Sequence, residues 1–135
     1  MSQENAEIVE IVRAVLERWG NGDFRPDPGL LDPEMVLVLR EGFPDAGTYS
    51  GREEVAKYMQ MFLEPWVRLT IEAEEIVEAG DAVVAAVRQR GVGVTSGIGT
   101  DFRYFQAWSV QGGRVIRLES CRDRSEALEA VGLSE

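Results

Sequence analysis

The hydrophobic period of this chain changes at Pro65, and no other feature restricts its possible folds as much. Before that point, Ile8, Ile11, Val12, Val15, Leu16 and Trp19 form the stripe of an amphipathic helix that Gly20 and Gly22 end. Val55, Tyr58, Met59 and Phe62 form a second helical stripe, introduced by Ser50 and Glu53 at the spacing of a capping box. After Pro65 the period is 2: Val67, Leu69, Ile71 and Ala73 alternate with polar residues, and Ile76-Val77 resume out of step. The slip at Glu74-Glu75 predicts a β-bulge, which bends a sheet.

Turn residues divide the rest. Gly80-Asp81, Gly97 to Gly99 and Gly112-Gly113 separate strands over Ala82 to about Val94, Phe102 to Val110 and Val115 to Cys121, an antiparallel meander of four strands with the one after Pro65. A short acidic helix, capped by Ser125 and ended by Gly132, closes the chain. Between the first two helices, Met35 to Leu39 reads as a buried strand, and Glu41 to Gly47, with Phe43-Pro44-Asp45, reads as a turn placed to form a pocket rim. No repeat or linker interrupts these elements, so one domain, 1–135, is expected. Its class is α+β, with the bulged sheet wrapped around the helices as a cone open at one end.

Charge and residue usage remove several classes of function. The chain has no histidine and one cysteine, Cys121, so a Cys/His zinc site, an intrachain disulfide and the histidine-based nucleophilic triads are all ruled out. The net charge of −10 argues against nucleic acid, whose binding needs phosphate neutralisation. No apolar run approaches the about 18 residues of a membrane span. Met1 to Glu10 lacks the basic and apolar regions of a secretory signal, which makes the cytoplasm the expected location. The glycines at 91, 93, 97 and 99 carry no phosphate-loop lysine and read as hairpin geometry; no cofactor or metal is expected. Seven arginines (88, 90, 103, 114, 117, 122 and 124) make residues 82–124 locally cationic. They pair with the acidic helices or a partner subunit, or they attract an anionic ligand.

Four strings carry a resemblance: "TYSGREEVAKYM" at 48–59, "EAGDAVVA" at 78–85, "FQAWSVQGGRVIRL" at 105–118 and "RDRSEALEAVGL" at 122–133. Together with the element order, they make the chain resemble the SnoaL-like branch of the nuclear transport factor 2-like superfamily over nearly its whole length. The resemblance implies that superfamily's cone-shaped α+β fold. It leaves the reaction open, because the family includes polyketide cyclases, ketosteroid isomerase relatives, dehydratases, epoxide hydrolases and members without assigned activity.

In such relatives an aspartate base and a tyrosine or histidine donor meet inside the cone. A two-residue turn at Gly112-Gly113 would set Tyr104 opposite Cys121, Gln106 opposite Glu119 and Trp108 opposite Arg117, all on one face. The resemblance turns that face to the cavity, with Gln106 where many members place histidine and Glu119 near their late acidic residue. Glu119 and Gln106 are therefore the catalytic candidates, although Gln106 cannot carry a proton and Arg117 would hold Glu119 ionised. Tyr58, Met59, Phe62, Tyr104, Gln106, Trp108 and Glu119 are the expected pocket. Its ligand is a small, mainly hydrophobic molecule, to be isomerised, cyclised or hydrated. The alternative is a non-catalytic dimerisation or ligand-binding module with a filled cone. Cys121 reads as an inert buried thiol, Asp123 as a helix-capping residue, and Arg88 and Arg90, sharing a face, as partners of Asp101 or of a partner chain. An apolar row of Phe105, Ala107, Ile116 and Leu118 on the outer face predicts a homodimer.

Overall fold

A computed structural model describes residues 3–133, apart from the side chains of residues 3 and 4; the ends of the 1–135 span fall outside the described residues. Helix α1 (Gln3–Gly20) leads into strand β1 (Leu31–Leu39), strand β2 (Gly47–Ser50) and helix α2 (Arg52–Leu63). Strands β3 (Trp66–Ala79), β4 (Ala82–Gly93), β5 (Gly99–Gln111) and β6 (Arg114–Cys121) form the meander, and helix α3 (Arg124–Ala130) follows. The strands make one sheet in the order β2-β1-β6-β5-β4-β3. The parallel pairing of β1 with β6 joins the two halves of the chain, with Leu37 opposite Leu118 and Leu39 opposite Ser120.

The bulge expected at Glu74-Glu75 is present. Ala73 opposes Val87 and Glu75 opposes Ala86, leaving Glu74 without a partner. Its effect is a change of phase. Leu69 and Ile71 are buried before it, whereas after it Ile76 packs into the core and Val77 is exposed. The sheet bends there while keeping an apolar inner face. Ile8, Val12, Val15 and Leu16 of α1 pack into the main core with Val83, Ala85 and Val87 of β4 and Trp108 of β5.

The cap of α2 differs from the sequence reading, and of the two residues read as capping the last helix only Asp123 does so. Ser50 belongs to β2, opposite Val36, and the cap position of α2 is Gly51, which has no side chain to offer. The Ser50 backbone N–H donates instead to Glu54, not Glu53, at 3.2 Å. Helix α3 begins at Arg124, which puts Asp123 rather than Ser125 at its cap; Asp123 Oδ1 accepts the Glu126 N–H at 2.9 Å. Its end is as expected, with the Gly132 N–H donating to the Glu129 carbonyl and the Leu133 N–H to that of Leu128. Asp123→Ala should therefore cost about 1 kcal/mol in urea unfolding, while Ser50→Ala and Ser125→Ala should each stay within about 0.5 kcal/mol of the parent.

Helix α3 lies on the outer face of the sheet, where Ala127 packs with Ala79, Val84, Ala107 and Cys121. Phe105 packs against the same cluster, with the Arg124 guanidinium 5.4 Å from its ring centroid. Leu118 points the other way, into the main core. The apolar row behind the dimer expectation is thus not formed: α3 covers part of it, and Leu118 has left the face.

Candidate functional site

The site depends on the register of the last hairpin. Gly112 and Gly113 have φ of +59° and +76°, a left-handed pair that glycine adopts at no steric cost, and the hairpin starts as read, with Val110 opposite Val115. One step on, Ser109 opposes Arg117, so Ile116 is an extra residue. Beyond this bulge, Gln106 opposes Ser120, Ala107 opposes Glu119 and Phe105 opposes Cys121. A slip of one residue sends every later side chain of β6 to the other face. The inner face next to Gln106 therefore holds Leu118 and Ser120, and Arg117, Glu119 and Cys121 lie outside.

This corrects the expected Gln106–Glu119 pair. Glu119 is buried on the outer face, where it accepts hydrogen bonds from Arg40 Nε at 2.5 Å and Arg117 Nη2 at 2.9 Å. Burial pushes its carboxyl up, but the bonds from Arg40 and then Arg117 outweigh that and hold it below the ordinary glutamate range. It is a fixed counter-ion, not a base. Cys121 beside it is fully buried, and burial, then the Glu119 charge, pushes its thiol up to about 12. Such a thiol stays protonated and unreactive.

Inside the cone, the inward residues of β4, β5, β6 and β1 meet α2 and the end of α1 around a cavity of about 390 Å³. Its deep end holds Leu37, Ile71, Leu118, Ser120, Gln89 and Gln106, all buried. The Tyr104 hydroxyl donates to Gln89 Oε1 at 2.8 Å, and Trp108 Nε1 donates to Gln106 Oε1 at 3.1 Å, so the deep polar groups hold one another in place. The side wall is aromatic, formed by Trp19, Phe43, Tyr58, Phe62 and Trp66. At the mouth stand Pro44, Asp45, Met61, Pro65, Thr100 and Phe102, all exposed. Trp66 fits because Gly91 has no side chain; a Cβ there would lie 2.6 Å from the indole ring. Trp66 Nε1 is buried without a hydrogen-bond partner.

Asp45 is the one carboxylate among the lining residues, and its Oδ2 lies 3.5 Å from the Tyr58 hydroxyl. The Tyr49 hydroxyl donates to the Asp45 carbonyl at 2.9 Å and ties the loop to the Tyr49–Tyr58 ring pair, whose centroids are 4.4 Å apart. Burial, then the Asp45 charge, pushes the Tyr58 phenol far up, so it stays a proton donor. Burial does the same to Tyr104. The mouth thus sets a carboxylate acceptor beside a phenol donor. Among the described residues, no group of three or more His, Cys, Asp or Glu is placed to hold a metal, and no helix is long and apolar enough to cross a membrane.

A model of the SnoaL-like domain matches residues 12–118. The chain belongs to the SnoaL-like domain family. Solved structures similar to this SnoaL-like chain include a protein of Jannaschia sp. CCS1 assigned as a SnoaL-like polyketide cyclase, at 19% identity and a TM-score of 0.75 over 98% of this chain and 93% of that one. TerC, co-crystallised with polyporic acid, is 18% identical with a TM-score of 0.72 over 93% of this chain and 98% of its own. A hypothetical protein of Catenulispora acidiphila DSM 44928 with a ketosteroid isomerase-like fold, in complex with trimethylamine, is 17% identical with a TM-score of 0.69 over 92% of this chain and 93% of that one. At these identities the likeness is one of fold. No curated protein matches in sequence.

Of the residues expected in a ligand pocket, Tyr58, Met59, Phe62, Tyr104 and Gln106 lie along the cavity. Trp108 also faces inward but lies behind the wall, 1% exposed and with its ring centroid 5.6 Å from that of Trp19, and Glu119 is outside. Asp45 was legible as part of a rim loop but not as the lining carboxylate, because nothing in its local pattern tells which way a turn residue points. None of the seven late arginines lines the cavity. Six form ion pairs: Arg88–Asp101, Arg90–Glu72, Arg103–Glu74, Arg117–Glu119, Arg122–Glu126 and Arg124–Glu75. Five of these six acids lie on strands, and Glu126 alone lies on a helix.

Proposed function

We propose that this SnoaL-like chain binds a small, mainly hydrophobic molecule inside its cone. The observation that carries this reading is the cavity of about 390 Å³, within the range of about 300–1,000 Å³ common for small-molecule sites, with an aromatic wall and a few held polar groups. A cone filled by its own side chains would leave no such volume. The relatives crystallised with polyporic acid and with trimethylamine support the same reading. The isomerase, cyclase or hydratase chemistry implied by the family has its candidate pair in Asp45 and Tyr58, acceptor and donor, in place of Gln106 and Glu119.

Binding of 1-naphthalenemethanol tests the cavity. Trp19 and Trp66 line it, so intrinsic fluorescence reports occupancy. A neutral two-ring ligand of this size should bind with a Kd on the order of 0.1–1 mM. Leu39→Trp adds bulk to the lining and should abolish the signal while the circular dichroism spectrum is retained. Unchanged binding in folded Leu39→Trp would place the ligand elsewhere and sink the reading.

A further inference from the structure

We infer that the cavity selects ligands by charge, and that its ligand is a lipophilic amine bound as the ammonium ion, with Asp45 as counter-ion at the mouth. This rests on the binding reading above and adds the chemical class. Three independent observations carry it.

The first is the charge inventory of the cavity. Asp45 is the one charged residue in the lining, and no lysine or arginine joins it among the described residues. The nearest arginine in sequence, Arg40, just past the end of β1, holds Glu119 and Glu129 on the outer face. An anionic ligand would meet a carboxylate and no compensating cation, within a chain of net charge −10.

The second is the state of Asp45 itself. Among the described residues its carboxylate has no ion-pair partner; its one side-chain contact is the Tyr58 hydroxyl, at the long distance of 3.5 Å. On the strands, Glu72, Glu74, Glu75, Asp101 and Glu119 each hold an arginine outside the cavity. Within the cavity lining, Asp45 is thus a carboxylate with no arginine or lysine on it, open to a cation from outside.

The third is what surrounds it. Phe43 lies on the same loop, and Tyr58 and Phe62 of α2 form a stacked pair with centroids 6.0 Å apart. Aromatic rings with a carboxylate are a recurrent way to hold an organic ammonium group, since the negative ring faces attract the cation while the walls accept its alkyl substituents. The apolar depth of Leu37, Ile71 and Leu118 then takes the hydrocarbon body.

The test uses three probes of one shape in the full chain at pH 7: 1-naphthylmethylamine, 1-naphthalenemethanol and 1-naphthoate, titrated by intrinsic fluorescence. The amine should bind on the order of tenfold more tightly than the alcohol, and the carboxylate more weakly than both. Raising the salt to about 0.5 M should shrink the amine's advantage, because the Debye length falls to a few ångströms. In Asp45→Asn the amine should lose its advantage, and in Asp81→Asn, an acid on the β3–β4 turn remote from the cavity lining, it should keep it. Equal binding of amine and alcohol in the parent, or an advantage that survives in Asp45→Asn, overturns the inference and leaves the cavity reading standing. Failure of the alcohol and the amine alike overturns both.

Discussion

Glu119→Gln is expected to destabilise the chain by about 2–3 kcal/mol at pH 7 and to leave ligand binding unchanged. Glu119 is 5% exposed and answers two guanidiniums, so the amide would leave Arg40 and Arg117 short of a charge in a partly dry setting. Removing one partner of a fully buried pair costs about 3–5 kcal/mol. The lower figure is expected because Arg40 keeps Glu129 at 3.4 Å and the Arg117 side chain is nearly half exposed to water. The loss should also depend on pH with a definite sign. Folding lowers this carboxyl below its ordinary value of 4.5, so its contribution is complete above that value and is lost as pH falls through the folded one. Urea unfolding of parent and variant should differ by a constant amount from about pH 6 to 8 and converge in acid. A variant as stable as the parent that no longer binds naphthalenemethanol would return Glu119 to the site.

The largest stability loss is expected from Trp108→Ala, at about 3–5 kcal/mol. The side chain is 1% exposed, its ring centroid is 5.6 Å from that of Trp19, and its Nε1 is the donor to Gln106 Oε1. Truncation opens a void between α1 and the sheet and leaves a buried amide oxygen without that donor, two costs of separate origin. For a chain of this size the melting temperature should fall by roughly 10–15 °C. Trp108→Phe separates the two contributions by keeping most of the packing and losing the N–H; it should recover more than half of the loss in calorimetry. A pocket-wall role for Trp108 would give the opposite pattern, with little change in melting and a clear loss of binding in Trp108→Ala.

What local pattern encodes was legible in the sequence. The stripes of α1 and α2 follow from a period of 3.6, and the strands of the meander from a period of 2 between glycine turns. The bulge at Glu74-Glu75 is visible because the apolar phase itself slips there, from Ala73 to Ile76. The class, the cone and the family follow from these elements and the four strings. Tyr58, Met59, Phe62, Tyr104 and Gln106 were assigned to the cavity from the resemblance and the strand and helix faces that these patterns define.

The second bulge, at Ile116, was not legible. "RVIRLESC" keeps a plausible alternation in either phase, since Val115, Ile116 and Leu118 are apolar and Arg117, Glu119 and Ser120 are polar. What decides between the phases lies outside the strand: β1 pairs with β6 in parallel and sets Leu37 beside Leu118, while α3 covers the face that takes Cys121. That choice moves Glu119 from the cavity to a double ion pair with Arg40, just past the end of β1, and Arg117 of its own strand. The same holds for Asp45, whose loop is recognisable as a turn but acquires a direction only when Tyr49 and Tyr58 hold it against α2. The helices, the long strands, their apolar faces and the cone they form were readable from neighbours a few residues away, whereas the short strand β2 was not, since it exists only by pairing with β1. Which carboxylate faces the cavity was decided by the tertiary structure alone, because it depends on one residue of register fixed by strands and a helix far along the chain.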